Sequence, residues 1–211
     1  VSEYLNEDEQ VEALKRWWKE NGKAVIGGAV LGLAVVGGWQ GWQKYTTAQA
    51  ERASAYFEQF LQTVRGNDAA AAKQQGERLL GEFGDSTYAV LTALELARVE
   101  YQQGEADSAV ARLRWAVAHA EDPGLEQLAR LRLARLLFDA GDLDAAAQLV
   151  KGQVAAAFAG EFAVLRGDIA RAQGDTAAAR SAYQEALSHG VANQDLLEMK
   201  LLEVGGQPAA S

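Results

Sequence analysis

Between Lys23 and Lys44 the chain runs for twenty residues, "AVIGGAVLGLAVVGGWQGWQ", without a charged side chain. About twenty apolar residues rising roughly 1.5 Å each match the roughly 30 Å hydrocarbon core of a bilayer. A buried helix of a soluble protein is usually shorter or interrupted by polar residues. A secretory signal has an apolar core of roughly 7–15 residues followed by a small-residue cleavage site. Ala48-Gln49-Ala50 has the form of such a site, yet residues 1–23 carry six acidic side chains and read as structure in their own right. A membrane helix over 24–43 is the expectation.

The tryptophans support it independently. Trp17 and Trp18 precede the span, and Trp39 and Trp42 lie at its far end. Trp17 and Trp39 are 22 positions apart, about 33 Å along a helix, which puts indoles at both interfaces, where the ring is buried and the N–H stays hydrated. Lys15, Arg16, Lys19 and Lys23 precede the span, against Lys44 and Arg52 just after it. Basic residues stay on the cytoplasmic side, so the N-terminus is expected inside and the remainder, in a bacterial inner membrane, in the periplasm. The expected division is a cytoplasmic amphipathic segment over 1–23, the membrane helix over 24–43 and a periplasmic domain over 44–211.

Within the span, Gly28 and Gly32, and Gly37 and Gly41, form two small-xxx-small pairs of the kind that let helix backbones approach in lipid. The alternative is a loosely packed anchor, since glycine is common in membrane helices. Six glycines in twenty residues cost helix propensity, which a packing role would explain. Upstream, Asn6 as cap, Glu9 three residues on, and Val11, Leu14 and Trp18 on one face predict a short amphipathic helix ended by Asn21-Gly22. It either lies on the lipid surface or offers a cytoplasmic docking site.

Composition constrains the larger part of the chain, beyond the span. The 211 residues are 49% hydrophobic with two prolines, enough for one globular domain plus an anchor. Abundant Ala, Leu, Glu and Arg favour helix, and almost no β structure is expected. A net charge of -9 opposes a nucleic-acid interface, which needs clustered cations to displace phosphate counterions. The absence of cysteine excludes disulfides, thiolate metal sites and a cysteine nucleophile, and leaves the compartment open.

A phrase recurs downstream: "QGEADSA" from Gln103, "AGDLDAA" from Ala140 and "QGDTAAA" from Gln173. Gly104, Gly141 and Gly174 are spaced 37 and 33 residues apart, each followed by an acid and, five positions on, by an alanine. Glycine supplies the turn conformation closed to other side chains, the acid suits the next helix's N-terminus, and alanine permits close packing. This is the signature of stacked helical hairpins. It resembles the tetratricopeptide repeat: Leu96, Ala97 and Tyr101 fall before Gly104, with Ala109, Leu113 and Ala116 after it. Gly141 gives Leu133, Ala134, Phe138 and Ala146, and the third copy gives Gly167, Ala179, Tyr183 and Ala186. After Val150, "KGQVAAAFAGEF" interrupts the second copy, predicting a short helix there. A degenerate unit from Gly66-Asn67-Asp68 to Leu80 completes a stack of three to four hairpins, and Ala48 to Val64 is a helix leading out of the membrane. The expected class is all-α, one transmembrane helix followed by a tetratricopeptide-like solenoid.

No catalytic, cofactor-binding or metal residues are expected. His119 and His189 stand alone and read as helix-end surface residues, Glu121-Asp122 as a solvated turn, and no nucleophile-elbow or phosphate-cradling glycine motif occurs. Taken with the repeats, "EQVEALKRWWKENGK" and the closing "LLEMKLLEV" make the chain similar, over essentially its whole length, to the YfgM family of inner-membrane proteins. The resemblance implies an ancillary subunit of the SecYEG translocon, with its C-terminal domain in the periplasm. It also implies association with PpiD, a membrane-anchored periplasmic chaperone, and a role in passing translocated chains to folding factors. A scaffold for another envelope complex is the competing reading.

In tetratricopeptide domains the first helices of successive hairpins line the face that holds a partner segment. Mapping the copies puts Arg98 and Arg135 at equivalent positions, with Tyr101 and Phe138 three residues on and Arg171 at that same position in the third copy. A row of cations and rings suited to an acidic or amphipathic segment is expected. The structural alternative has the rings packed between hairpins and the arginines paired with acidic neighbours.

Overall fold

The structure, a computed structural model, describes residues 2–205, with side chains from Gln10 onward. Among the described residues there are nine helices and no strand. The chain divides into two compact units, Val1–Glu51 and Arg52–Ser211.

The first unit is helical throughout its described part, within α1 (Ser2–Arg65). α1 is long and apolar enough to cross a membrane, and none of its most apolar stretch is buried within the chain. Two sequence expectations change here. The backbone is already helical from Ser2, so Asn6 lies inside the helix rather than at its cap, and the expected Asn6–Glu9 capping contact falls outside the described side chains. Asn21-Gly22 does not end the helix either. The Asn21 side-chain amide donates to the Trp17 carbonyl at 3.1 Å, one turn back. Gly22 is buried beneath Trp18, where a Cβ would meet Cε2 of the indole at 3.3 Å. The pair makes room for a ring instead of terminating a helix.

The second unit begins with the last turns of α1 and continues through α2 (Ala69–Glu82), α3 (Thr87–Gln102), α4 (Ala106–His119), α5 (Pro123–Asp139), α6 (Leu143–Leu149), α7 (Ala156–Ala172), α8 (Thr176–His189) and α9 (Gln194–Glu203). The end of α1 with α2, then α3–α4, α5–α6 and α7–α8, form the stacked hairpins. Gly104, Gly141 and Gly174 turn them with φ of +81°, +82° and +82°, and Asn67 takes the same role in the degenerate unit at +57°. Left-handed backbone costs a residue with a Cβ more, with Asn the tolerated exception. The acids next in sequence cap the second helices: Asp68, Asp142 and Asp175 accept from the amides of Ala71, Ala145 and Ala178 at 2.9–3.1 Å. Glu105, one methylene longer, makes no cap bond and instead pairs with Lys73 at 2.5 Å.

Packing keeps the same register. Ala72, Ala109, Ala146 and Ala179, each five residues after its turn residue, are fully buried. Seven before and nine after the turn glycine stand Ala97 and Leu113, Ala134 and Val150, and Gly167 and Tyr183, all of them buried. The first helix shrinks where the second grows, and a Cβ on Gly167 would collide with the Tyr183 ring. In the degenerate unit the order inverts, with buried Phe60 in the first helix and Gly76 in the second. A Cβ there would come within 2.6 Å of Leu96.

The second copy is short as expected, since α6 has seven residues. The chain beyond it is held by α5: Gln127 accepts from the Ala155 amide at 2.8 Å, and Arg130 donates to the Gln153 carbonyl at 3.2 Å. One core runs through α3–α7 and a second, around Tyr183, joins α7, α8 and α9.

Candidate partner-binding face

The side chains six and three residues before each turn glycine project from the first helices: Arg98 and Tyr101 on α3, Arg135 and Phe138 on α5, Asp168 and Arg171 on α7. Arg98 and Arg135 are exposed, Tyr101 is 48% exposed, and Phe138 is half-buried against the main core. A cavity of about 340 Å³ brings together Arg98, Tyr101, Arg135 and a residue absent from the expected set, Arg132, over a floor that includes Leu94 and Leu136. A neighbouring cavity of about 320 Å³ continues from Arg135 and Phe138 to Glu161, Asp168, Leu196 and Lys200. Arg171 lines neither cavity.

The expected cations are compensated. Arg98 pairs with Glu95 at 2.9 Å and bonds Gln102 at 3.3 Å, Arg135 pairs with Glu161, and Arg171 pairs with Glu203 at 2.8 Å. These carboxylates are at least a quarter exposed, so each pair is worth about 0–1 kcal/mol and is exchangeable for an incoming acid. Arg132, nine residues before Gly141, has no ion-pair or hydrogen-bond partner among the described residues. The sequence signal for Arg132 was its spacing of three from Arg135, which places both on one helical face. Asp139 is the acid lining the first cavity.

Behind this face, polar groups fix the helices. The Asp168 carboxylate accepts from the Tyr183 hydroxyl at 2.8 Å and from Lys200 at 2.7 and 2.8 Å, joining α7, α8 and α9. Burial, then the bond to Asp168 and its charge, push the Tyr183 phenol above the usual range, with Arg171 opposing. Between α2, α3 and α4, Arg112 donates to buried Glu100 at 3.1 Å and to Glu77. Burial raises the Glu100 carboxyl, with Lys73 lowering it and Glu105 raising it, and burial lowers Arg112. Sequence reasoning missed this cluster because its members come from three helices.

The glycines at 28, 32, 37 and 41 lie in α1, where an added Cβ would meet no heavy atom within 4 Å. His119 and His189 end α4 and α8, with His119 stacked on Trp115 at 4.1 Å between centroids. Among the described residues, no group of three or more metal-ligating side chains could hold an ion.

A family described as a tetratricopeptide repeat-like domain matches residues 15–206. Proteins named ancillary SecYEG translocon subunit are similar throughout. The one from Haemophilus influenzae is 31% identical over 198 residues, 93% of this chain and 97% of the relative. That of Aggregatibacter actinomycetemcomitans gives the same identity and coverage, and that of Escherichia coli is 32% identical over 94% of this chain and 96% of its own.

Proposed function

The chain belongs to the tetratricopeptide repeat-like family of ancillary SecYEG translocon subunits, and from that premise we propose that it is a non-enzymatic, membrane-anchored adaptor of the Sec translocon. In this reading residues 1–23 are cytoplasmic, 24–43 cross the inner membrane once, and 44–211 form the periplasmic repeat domain. The repeat face engages a membrane-anchored periplasmic chaperone of the PpiD type, and translocated chains pass to it. Gly28, Gly32, Gly37 and Gly41 pack the anchor against a partner helix in the bilayer.

One observation carries the reading: the likeness to translocon subunits spans anchor and repeats together, over more than nine-tenths of both chains. The orientation rests on four basic residues before the span against two after it. The chaperone contact rests on the cavity of Arg98, Tyr101, Arg132 and Arg135, cationic on a chain of net charge -9. Such contacts mostly steer and orient an acidic segment.

The test is affinity capture after mild detergent extraction. Sec components and a membrane-anchored chaperone are expected in the eluate, and a different envelope complex in their place would establish the scaffold reading instead. R98E with R135E should lower chaperone capture severalfold at unchanged membrane level and helix content, and added salt should weaken the wild-type contact. Capture that survives both moves the contact off this face. A tag at Ser211 should be accessible outside spheroplasts, and accessibility only after permeabilisation would reverse the orientation.

A further inference from the structure

α9 ends as the first helices do. Helix, one capping residue and a left-handed glycine come in that order: Gln103 and Gly104 after α3, Ala140 and Gly141 after α5, Gln173 and Gly174 after α7, Val204 and Gly205 after α9. Gly205 has φ +71°. Eight and four residues before it stand buried Leu197 and Leu201, the registers of Leu96 and Leu133 and of Glu100 and Leu137 in α3 and α5. α9 is therefore a further first helix, docked on α7 through Lys200–Asp168 and Glu203–Arg171. Arg180 of α8 holds its end by donating to the Val204 carbonyl at 2.7 and 3.1 Å.

The register then states what α9 adds to the shared face. Where α3 and α5 present Arg98 and Tyr101, and Arg135 and Phe138, α9 presents Met199 and Leu202, 60% and 55% exposed. Leu196, at the position of Arg132, is 46% exposed and lines the same cavity as Arg135 and Phe138. α9 thus carries three exposed apolar side chains at the registers of the binding face, with Leu196 lining the cavity itself.

We propose that the first-helix face binds one segment of a partner protein in a fixed orientation, with acidic residues over α3–α5 and aliphatic residues on Leu196, Met199 and Leu202 of α9. This rests on the reading of that face as the partner site and adds its polarity and its apolar anchor. Charge complementarity selects the occupant. Arg132 lacks a counterion among the described residues, and the Arg98 and Arg135 pairs are solvent-exposed and exchangeable, so an acid is favoured there and disfavoured beside Asp168 and Glu161. Residues 206–211, Gly-Gln-Pro-Ala-Ala-Ser, contain neither an acid nor a large aliphatic side chain. A second copy related by a two-fold axis would lay the guanidinium end of one face on the guanidinium or the aliphatic end of the other, and on no acidic block in either case. An anionic bilayer is repelled by the net charge of -9.

The probes are fluorescent synthetic peptides of one composition, about twelve residues in length to match roughly four first helices at about 10 Å spacing. Two carry an acidic block and a Leu/Met block, in either order, and a third alternates the same residues. Binding to the full chain in lipid nanodiscs is monitored by anisotropy. One block order should bind about tenfold tighter than the alternating peptide, M199E with L202E should lose about tenfold, and R132Q should flatten the salt dependence. Both glutamates replace exposed side chains, and unchanged helix content shows that the buried Leu197–Leu201 face is intact. Equal binding of all three peptides, no binding by any, or full affinity in M199E with L202E overturns the proposal. If R98E with R135E abolishes binding while M199E with L202E leaves it, the face is the partner site and the α9 anchor is wrong. If neither pair of changes matters, the partner-site reading falls as well. Competition by anionic vesicles, or concentration-dependent self-association lost in M199E with L202E, reassigns the patch to lipid or to a second copy.

Discussion

Glycine means different things in the two units. In the first unit Gly27, Gly28, Gly32, Gly37, Gly38 and Gly41 could each take a methyl group without meeting, within 4 Å, any heavy atom beyond the adjoining helix backbone. In the second, Gly76, Gly160 and Gly167 could not, because Leu96, the Gly190 carbonyl and the Tyr183 ring occupy the space. Those three repeat glycines are explained by contacts inside the chain, and the turn glycines Gly104, Gly141 and Gly174 by their positive φ. Those of the anchor are not, although six of them in twenty residues weaken the helix they interrupt. Contacts and turns within one chain therefore account for these glycines of the array, while no contact within the chain accounts for those of the apolar helix.

The contrast breaks most readily at Gly167. G167A drives a methyl group into the fully buried Tyr183 ring, and overpacking costs about 1–3 kcal/mol. For a domain of this size that is a fall of roughly 3–10 °C in the midpoint of the full chain in detergent. The Ala134–Val150 pair supplies the remedy, so Y183V added to G167A should recover part of the loss. An unchanged midpoint in G167A would show that the array glycines are as unconstrained as those of the anchor.

A smaller effect is expected at the Tyr183 hydroxyl. Y183F removes one hydrogen bond to Asp168, which keeps Lys200, for a cost of about 1 kcal/mol. Its pH dependence carries the sharper information. Folding raises the phenol above its unfolded value of about 10, so the native state holds a proton that the unfolded state releases. Stability is present below that pH and is lost as pH rises through and above it. Wild type should lose stability more steeply than Y183F in alkaline melts, and parallel curves would show that the phenol titrates freely.

How much was legible from sequence depends on where each constraint lies. The turn glycines, the buried alanines after them and the short α6 were readable because each is set by local backbone geometry or by a broken period. Asn21-Gly22 misled because the same dipeptide suits a helix end and a helix interior, and the Trp18 ring over Gly22 decides between them. Arg132 was missed because its lack of a counterion depends on where Glu95 of α3 and Glu161 of α7 point, which is tertiary. α9 hid its kinship with α3 and α5 because Met199 and Leu202 replace the cation and ring that marked the row. The Leu197, Leu201 and Gly205 spacing was the available clue.

The smallest expected change in stability is in the anchor, and there it is the informative one. G28L with G32L adds side chains where none are opposed within the chain, and leucine favours both helix and lipid, so the array's melting midpoint and membrane level should not move. If the two glycines provide a strip for close approach of a partner helix, two leucine side chains hold the backbones apart and forfeit the contacts of a small-xxx-small seam. Recovery of membrane partners after mild extraction should then drop severalfold while the repeat domain stays folded. A control with leucines at Gly27 and Gly38, outside both small-xxx-small pairs, separates a specific seam from a general response to bulk. Unchanged partner recovery in G28L with G32L would reduce these glycines to ordinary anchor residues. A shifted array midpoint would show that these glycines matter to the fold of the chain itself, and the contrast would fail from the other side.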